Sequence, residues 1–236
     1  MKKWRLGFCL VLLAPAAMVS TAQQASKPPV DEVLRQARQE ISSFEKAGGK
    51  KSDPLHPVEK WAQELWSWRT VSPDSADTAK ATSEAVHLLI HADRFEEAQT
   101  RADQIPSDDS AWQGLSQVLF ESASLQKNFT YLFAKLQSVL TAAQEPKIKA
   151  AIQLSLGRGW REQHEEEKAK AAFRSAMELA GDSPSGKQAE TELYDLLHLG
   201  VGQPAPSFSA TAVNGSRVSL PDYRGKPLVL VFWSTS

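Results

Sequence analysis

The sequence predicts a mostly α-helical chain, a helical-repeat module followed by the opening of an α/β domain. Three observations lead there. Apolar residues recur at three- and four-residue intervals over most of residues 30–199, a weak motif returns with a period near 34 residues between positions 75 and 180, and from about residue 200 the punctuation changes to Pro, Asn-Gly and Gly turns between short apolar runs. At 236 residues, 42% hydrophobic and 23% charged, the composition is globular and long enough for one or two domains. Net charge is −1, from 27 basic and 28 acidic residues, and no face carries the basic surplus that a nucleic-acid partner would require.

Residues 1–22 read as a secretory signal peptide. Met1-Lys2-Lys3-Trp4-Arg5 is a positive start, Leu6 to Val19 is mostly apolar, and Ser20-Thr21-Ala22 places small residues at −3 and −1 of a cleavage site. The apolar run is short for a membrane-spanning helix, which needs about 20 residues. Phe8 precedes Cys9 near the start of that run, which is the wrong arrangement for a lipoprotein. The expectation is export to the periplasm or the extracellular side, with membrane contact only through an uncleaved signal segment. Residues 23–29, Gln-Gln-Ala-Ser-Lys-Pro-Pro, read as a linker.

Residues 30–74 are expected to hold N-terminal helices. Val30, Val33, Leu34, Ala37, Ile41 and Phe44 mark one helical face, ended by Gly48-Gly49. Pro57 is placed to open the next helix at its first position, where a missing N–H costs nothing. In that helix Trp61, Leu65 and Trp68 share a side and Trp66 points elsewhere. A core of packed indoles outweighs a sugar or peptide platform as the reading of these residues.

Residues 75–199 are expected to form the repeats. In the clearest unit Leu156-Gly157, Trp160, Ala169, Phe173 and Ala176 are spaced so that small residues let two antiparallel helices approach while aromatics fill between them. This spacing resembles the tetratricopeptide signature. Phe95-Glu-Glu-Ala98 and Phe129-Thr-Tyr-Leu132 align with Glu166-Glu-Lys-Ala169, putting Ala98, Leu132 and Ala169 34 and 37 residues apart. An irregular helical bundle is the competing architecture. A last helix over Lys187 to Leu199 would cap the stack.

The final segment, 200–236, reads Val-Gly-Gln-Pro-Ala-Pro-Ser-Phe from Val201, then Asn214-Gly215, Val218-Ser219-Leu220-Pro221-Asp222-Tyr223-Arg224-Gly225-Lys226-Pro227, then Leu228 to Trp233. Asn-Gly predicts a tight type I′ hairpin, and the unbroken apolar run predicts a strand covered on both faces. This ordered set resembles the opening of thioredoxin-fold domains of the TlpA/ResA type, exported thiol-disulfide oxidoreductases of the redoxin superfamily. In that family a Phe-Trp-x-Thr-Trp run leads directly into Cys-x-x-Cys. Here Phe232, Trp233 and Thr235 match, Ser234 fills the variable position, and Ser236 stands in place of the second Trp.

The resemblance implies that the domain is incomplete and that the redox cysteines lie beyond Ser236, so no catalytic residue is expected within the chain; residues 232–236 would flank the site. The one cysteine of the sequence, Cys9, falls in the signal segment, and disulfide exchange requires a thiol. The implied activity is thiol-disulfide exchange on protein thiols and disulfides, without a cofactor. The alternatives are a redoxin-type peroxide reductase and a non-enzymatic scaffold whose repeats bind a protein partner.

Other constellations are weaker. His87 and His91 are four apart on a helix, but no HExxH and no third ligand accompany them, so no metal site is expected. Glu165-Glu166-Glu167 reads as a solvated helix start. Asn128-Phe129-Thr130 matches the N-glycosylation pattern between helices. Ser234, Thr235 and Ser236 lack a G-x-S-x-G elbow, and no glycine-rich phosphate loop is present.

Overall fold

Of the apolar positions of the first helical face, Val30, Val33, Leu34, Ala37 and Ile41 are buried along one side of α1 (Val30–Lys46), and Phe44 is half-buried near its end. The computed structural model describes residues 28–71, 75–200, 202–231 and 234. The signal segment and all of the linker except Pro28 and Pro29 lie outside the described residues. Gly48 ends α1 at φ +91°, a left-handed conformation that glycine adopts without a Cβ penalty, and the Gly49 N–H returns to the Phe44 carbonyl at 3.0 Å.

The second helical stretch differs from the expectation in two places. Pro57 sits just ahead of α2 (Val58–Trp66), at the cap rather than the first helical position, and the helix breaks at Ser67 before the single turn α3 (Trp68–Val71). The Ser67 hydroxyl donates back to the Glu64 carbonyl at 2.6 Å, a local bond that competes with the helical ladder. Trp61, Leu65 and Trp68 are buried in one cluster with α1 and with Ala81 and Ala85 of α4 (Ala76–His91). The Trp61 indole donates to Glu40 Oε2 at 2.9 Å, so these tryptophans are core and not a platform.

Three helix pairs follow: α4 with α5 (Phe95–Asp103), α6 (Trp112–Gln126) with α7 (Thr130–Ala142), and α8 (Pro146–Glu162) with α9 (Glu166–Ala180). Each pair turns in the same way. Asp93, Lys127 and His164 have φ of 59°, 53° and 61°, and the next N–H reaches back five residues: Arg94 to Leu89 O at 2.8 Å, Asn128 to Ala123 O at 3.0 Å, Glu165 to Trp160 O at 2.9 Å. This is the Schellman closure, which satisfies carbonyls orphaned at a helix end. The three left-handed residues are 34 and 37 residues apart, and five residues after each comes a buried Ala98, Leu132 or Ala169.

The first helices of successive pairs stack on one another, α4 on α6 and α6 on α8, while α2 lies against α4. One cluster of buried side chains runs from Ala62, Val86 and Leu89 through Trp112, Leu115, Leu132 and Leu136 to Ile148 and Ile152. A second joins Ala150, Leu154, Ala169, Phe173 and Ala176 to α10 (Pro184–His198). Gly157 explains the close approach there, since a Cβ at that position would lie 2.4 Å from the Phe173 ring. The last helix begins at Pro184, earlier than expected at Lys187, because the Ser183 hydroxyl caps it by accepting from the Gly186 N–H at 3.1 Å. Among the described residues no helix is long and apolar enough to cross a membrane.

Near the C-terminal end, β1 (Ser209–Thr211) and β2 (Arg217–Ser219) pair antiparallel with Ala210 opposite Val218. The hairpin forms where Asn-Gly predicts it, but not as a two-residue type I′ turn. The Ala212 N–H donates to Ser216 O at 2.8 Å and the Ala212 carbonyl accepts from the Gly215 N–H at 2.8 Å, leaving a three-residue loop in which Gly215 takes the positive φ, +83°, and Asn214 does not. This is a type I turn completed by a left-handed glycine. The architecture is thus mostly helical with a small two-stranded sheet near the C-terminal end.

Candidate functional site

Two places were open to function, and they differ in what they bring together. In the C-terminal stretch, β2 runs into a 3₁₀ turn (Leu220–Tyr223) held by Asp222, whose carboxylate accepts from the Ser219 N–H at 2.7 Å and from its hydroxyl at 2.8 Å. Those donations, the hydroxyl's first, hold the Asp222 carboxyl below its usual range. A type II turn follows, with Arg224 at φ −54°, ψ 134°, Gly225 at φ +78° and the Lys226 N–H closing on Tyr223 O at 3.0 Å.

Leu228 to Val231 come next, and here the expectation is corrected. These residues form no ladder and are not buried: Val229 is 83% and Val231 76% exposed. The physical reason is the lack, among the described residues, of a further strand to pair with them or a helix to cover them. Of the five flanking positions, Ser234 is exposed, and Phe232, Trp233, Thr235 and Ser236 lie outside the described residues, as does Cys9. Among the described residues no catalytic constellation is assembled in this stretch.

The second place is a polar relay across the helical stack, which sequence reasoning missed. On α4, His87 Nδ1 lies 3.6 Å from Glu84 Oε2, and its Nε2 lies 3.6 Å from Glu121 Oε2 on α6. Glu121 Oε1 accepts from Gln117 Nε2 at 3.0 Å. Gln117 Oε1 in turn accepts from Arg158 of α8, whose Nε donates to Glu192 Oε1 of α10 at 2.7 Å; Arg161 holds the other Glu192 oxygen. The relay joins the first helix of all three pairs to the terminal helix.

Its two ends differ electrostatically. Arg158 and Glu192 are mostly buried and mutually paired, whereas His87 and Glu121 are more open. Contact with the Glu84 carboxylate, more than any other cause, raises the His87 pKa above the ordinary histidine value; Glu121 adds to this, and burial and Arg38 oppose it. The same contact with His87 lowers that of Glu84. Beside this open end a groove of about 550 Å³ runs between α4 and α6, floored by Ala79, Ser83, Ala111 and Gly114 and rimmed by His87 and Glu121. On the groove floor the Ser83 hydroxyl lies 3.0 Å from the Ala111 carbonyl and 3.1 Å from the Ala79 carbonyl of its own helix. Its lining pairs no nucleophile with a base.

The minor constellations resolve simply. His91 is exposed and stands apart from the His87 contacts, and among the described residues no group of three or more His, Cys, Asp or Glu side chains is set to hold a metal ion. Glu166 and Glu167 are exposed and pair with Lys170. Asn128 uses its side chain within its own turn, accepting from the Thr130 N–H at 3.1 Å.

Comparison with known proteins touches only the end of the sequence. The model of the AhpC/TSA family matches residues 201–236. No curated protein and no solved structure matches the chain. Residues 201–236 are thus similar to the opening of the AhpC/TSA family, and this supports a thioredoxin-fold redoxin segment and a redoxin-type function at that coarse level.

Proposed function

We propose that the intact protein is an exported thiol-disulfide oxidoreductase of the TlpA-like redoxin type, its reactive cysteines carried by residues that follow Ser236 and its helical region serving as a tetratricopeptide-like module that holds a protein partner. The observation that carries this reading is the family match over residues 201–236, read together with the Phe232-Trp233-Ser234-Thr235 run. The repeated Schellman turn at Asp93, Lys127 and His164 supports the repeat assignment, and the residue pattern of 1–22 supports export.

In the proposed reaction a cysteine thiolate attacks one sulfur of a substrate disulfide. A mixed disulfide forms, and the other substrate sulfur leaves as thiolate. A second cysteine thiolate then displaces the remaining substrate sulfur, leaving the enzyme oxidised and the substrate reduced. Residues 217–231 contribute position: β2 and the Tyr223–Lys226 turn aim the apolar run that would carry the attacking thiol at its end.

The test is insulin disulfide reduction by the protein extended past Ser236. Turnover lost on Cys→Ser replacement supports the reading, and the 236-residue chain should give none. Peroxide consumption without insulin reduction would favour the peroxide reductase. Neither activity, with a partner retained on the helical region, would favour the scaffold.

A further inference from the structure

His87 makes a demand on its own protonation state through both of its ring nitrogens. Each faces a carboxylate oxygen at 3.6 Å, Glu84 on its own helix and Glu121 on the next pair. A neutral imidazole carries one N–H and one lone pair, so facing two carboxylates it turns a lone pair toward one of them, which is repulsive. At 3.6 Å neither contact is a hydrogen bond, but an imidazolium is attracted to both carboxylates at once. The observed geometry fits the charged ring.

The surroundings favour the same conclusion. From α1, Arg38 and Glu45 line the cleft that His87 shares with His91, and from α4 Lys80 stands beside Glu84. Arg38 opposes the charge on His87, yet the two carboxylates outweigh it. Glu121 cannot swing away freely, because Gln117 and, through it, Arg158 hold its other oxygen in the relay. The floor of the same groove has a contact between the pairs that does not titrate, Ser83 to the Ala111 carbonyl, alongside Ser83 to Ala79 on its own helix.

We propose that His87 is a protonation-controlled latch between the first and second helix pairs, closing the open end of the α4–α6 groove when charged and releasing it when neutral. The latch stands on the geometry of the helices and not on the redoxin assignment; if the groove holds a partner, the latch sets the width that the partner meets. The sign follows from the raised pKa. Stabilisation is complete below the unfolded histidine value of about 6.5 and is lost as pH rises through the folded value.

The experiment is a titration of the ring nitrogens of the 236-residue chain by NMR, with Glu121→Gln and Glu84→Gln alongside. His87 is expected to titrate above about 6.5 and to fall toward that value in each variant. Amide exchange along α4 and α6 near His87 and Glu121, corrected for the intrinsic pH dependence of exchange, is expected to quicken between about pH 5.5 and pH 8.5 in the wild type, and to change far less in His87→Gln. A His87 that titrates at or below the ordinary value and is indifferent to Glu121→Gln would overturn the latch, as would protection near the groove that is equal at the two pH values. Because the sequence carries four further histidines, His56, His91, His164 and His198, the assigned His87 resonance and not the bulk pH profile is decisive.

Discussion

Leu89, Leu115 and Leu136 in the helical region expose no surface, whereas none of Leu228 to Val231 is buried and Val229 and Val231 stand mostly in solvent, although both stretches are built from the same aliphatic side chains. The difference lies in where each element finds its cover. A helix with one apolar face needs a single neighbour, and the preceding or following helix of the stack supplies it within some 35 residues of sequence. A strand apolar on both faces needs ladder partners on either edge and layers above and below, which come from distant sequence. Each aliphatic side chain fully buried in the stack contributes about 1.5–3 kcal/mol, and the exposed run contributes far less. The helices therefore stand as packed structure, while the strand pattern remains a statement about a sheet.

The comparison can be broken most forcefully at Phe173, which is fully buried between α8, α9 and α10. Phe173→Ala should cost about 3–5 kcal/mol in denaturant unfolding, lost transfer energy plus cavity. Gly157→Val, on the facing helix, forces a side chain into the same ring from 2.4 Å away and should cost about 1–3 kcal/mol. If either change were neutral, the stack would not be packed as described.

Two smaller effects sharpen it. Val229→Asp should change the stability of the 236-residue chain by no more than about 0.5 kcal/mol, the range for exposed positions, yet destabilise the protein extended past Ser236 by about 2 kcal/mol or more. Equal effects in both would remove the contrast. Lys127 holds a left-handed conformation that a lysine adopts only with strain, and its ion pair with Glu162 is long and exposed. Lys127→Gly should therefore stabilise the protein against denaturant by about 0.5–1 kcal/mol, relief of strain exceeding the entropy cost of glycine.

What could be read in advance follows the same division. The three- and four-residue spacing from Val30 to Ile41 located α1 and its buried face because the pattern is local. The residues Ala98, Leu132 and Ala169 that the spacing linked each lie buried five positions after a left-handed turn residue, because each occupies the same place after its turn. The turns themselves were not legible, since Asp93, Lys127 and His164 occupy left-handed positions that glycine would have announced. The break at Ser67 turns on one hydroxyl finding a carbonyl.

The relay was missed because its members look like ordinary solvated charges. A signal was present all the same. His87 to Glu121, Gln117 to Arg158 and Arg158 to Glu192 are 34, 41 and 34 residues apart, and two of the three equal the 34-residue spacing of Ala98 and Leu132. Polar residues at that interval lie on one face of stacked helices and are candidates for lateral contact. At the C-terminal end the motif order was legible, but burial was not, because burial belongs to elements that the motif itself does not contain.

The most direct measurement is amide hydrogen exchange at Leu228 to Val231, compared between the 236-residue chain and the protein extended past Ser236, with Leu115 and Ile152 as protected references. The account predicts rapid exchange at these four residues in the shorter form and slowing by orders of magnitude in the longer one, as the run enters a ladder. Strong protection in the 236-residue chain, or none in the extended one, would contradict it.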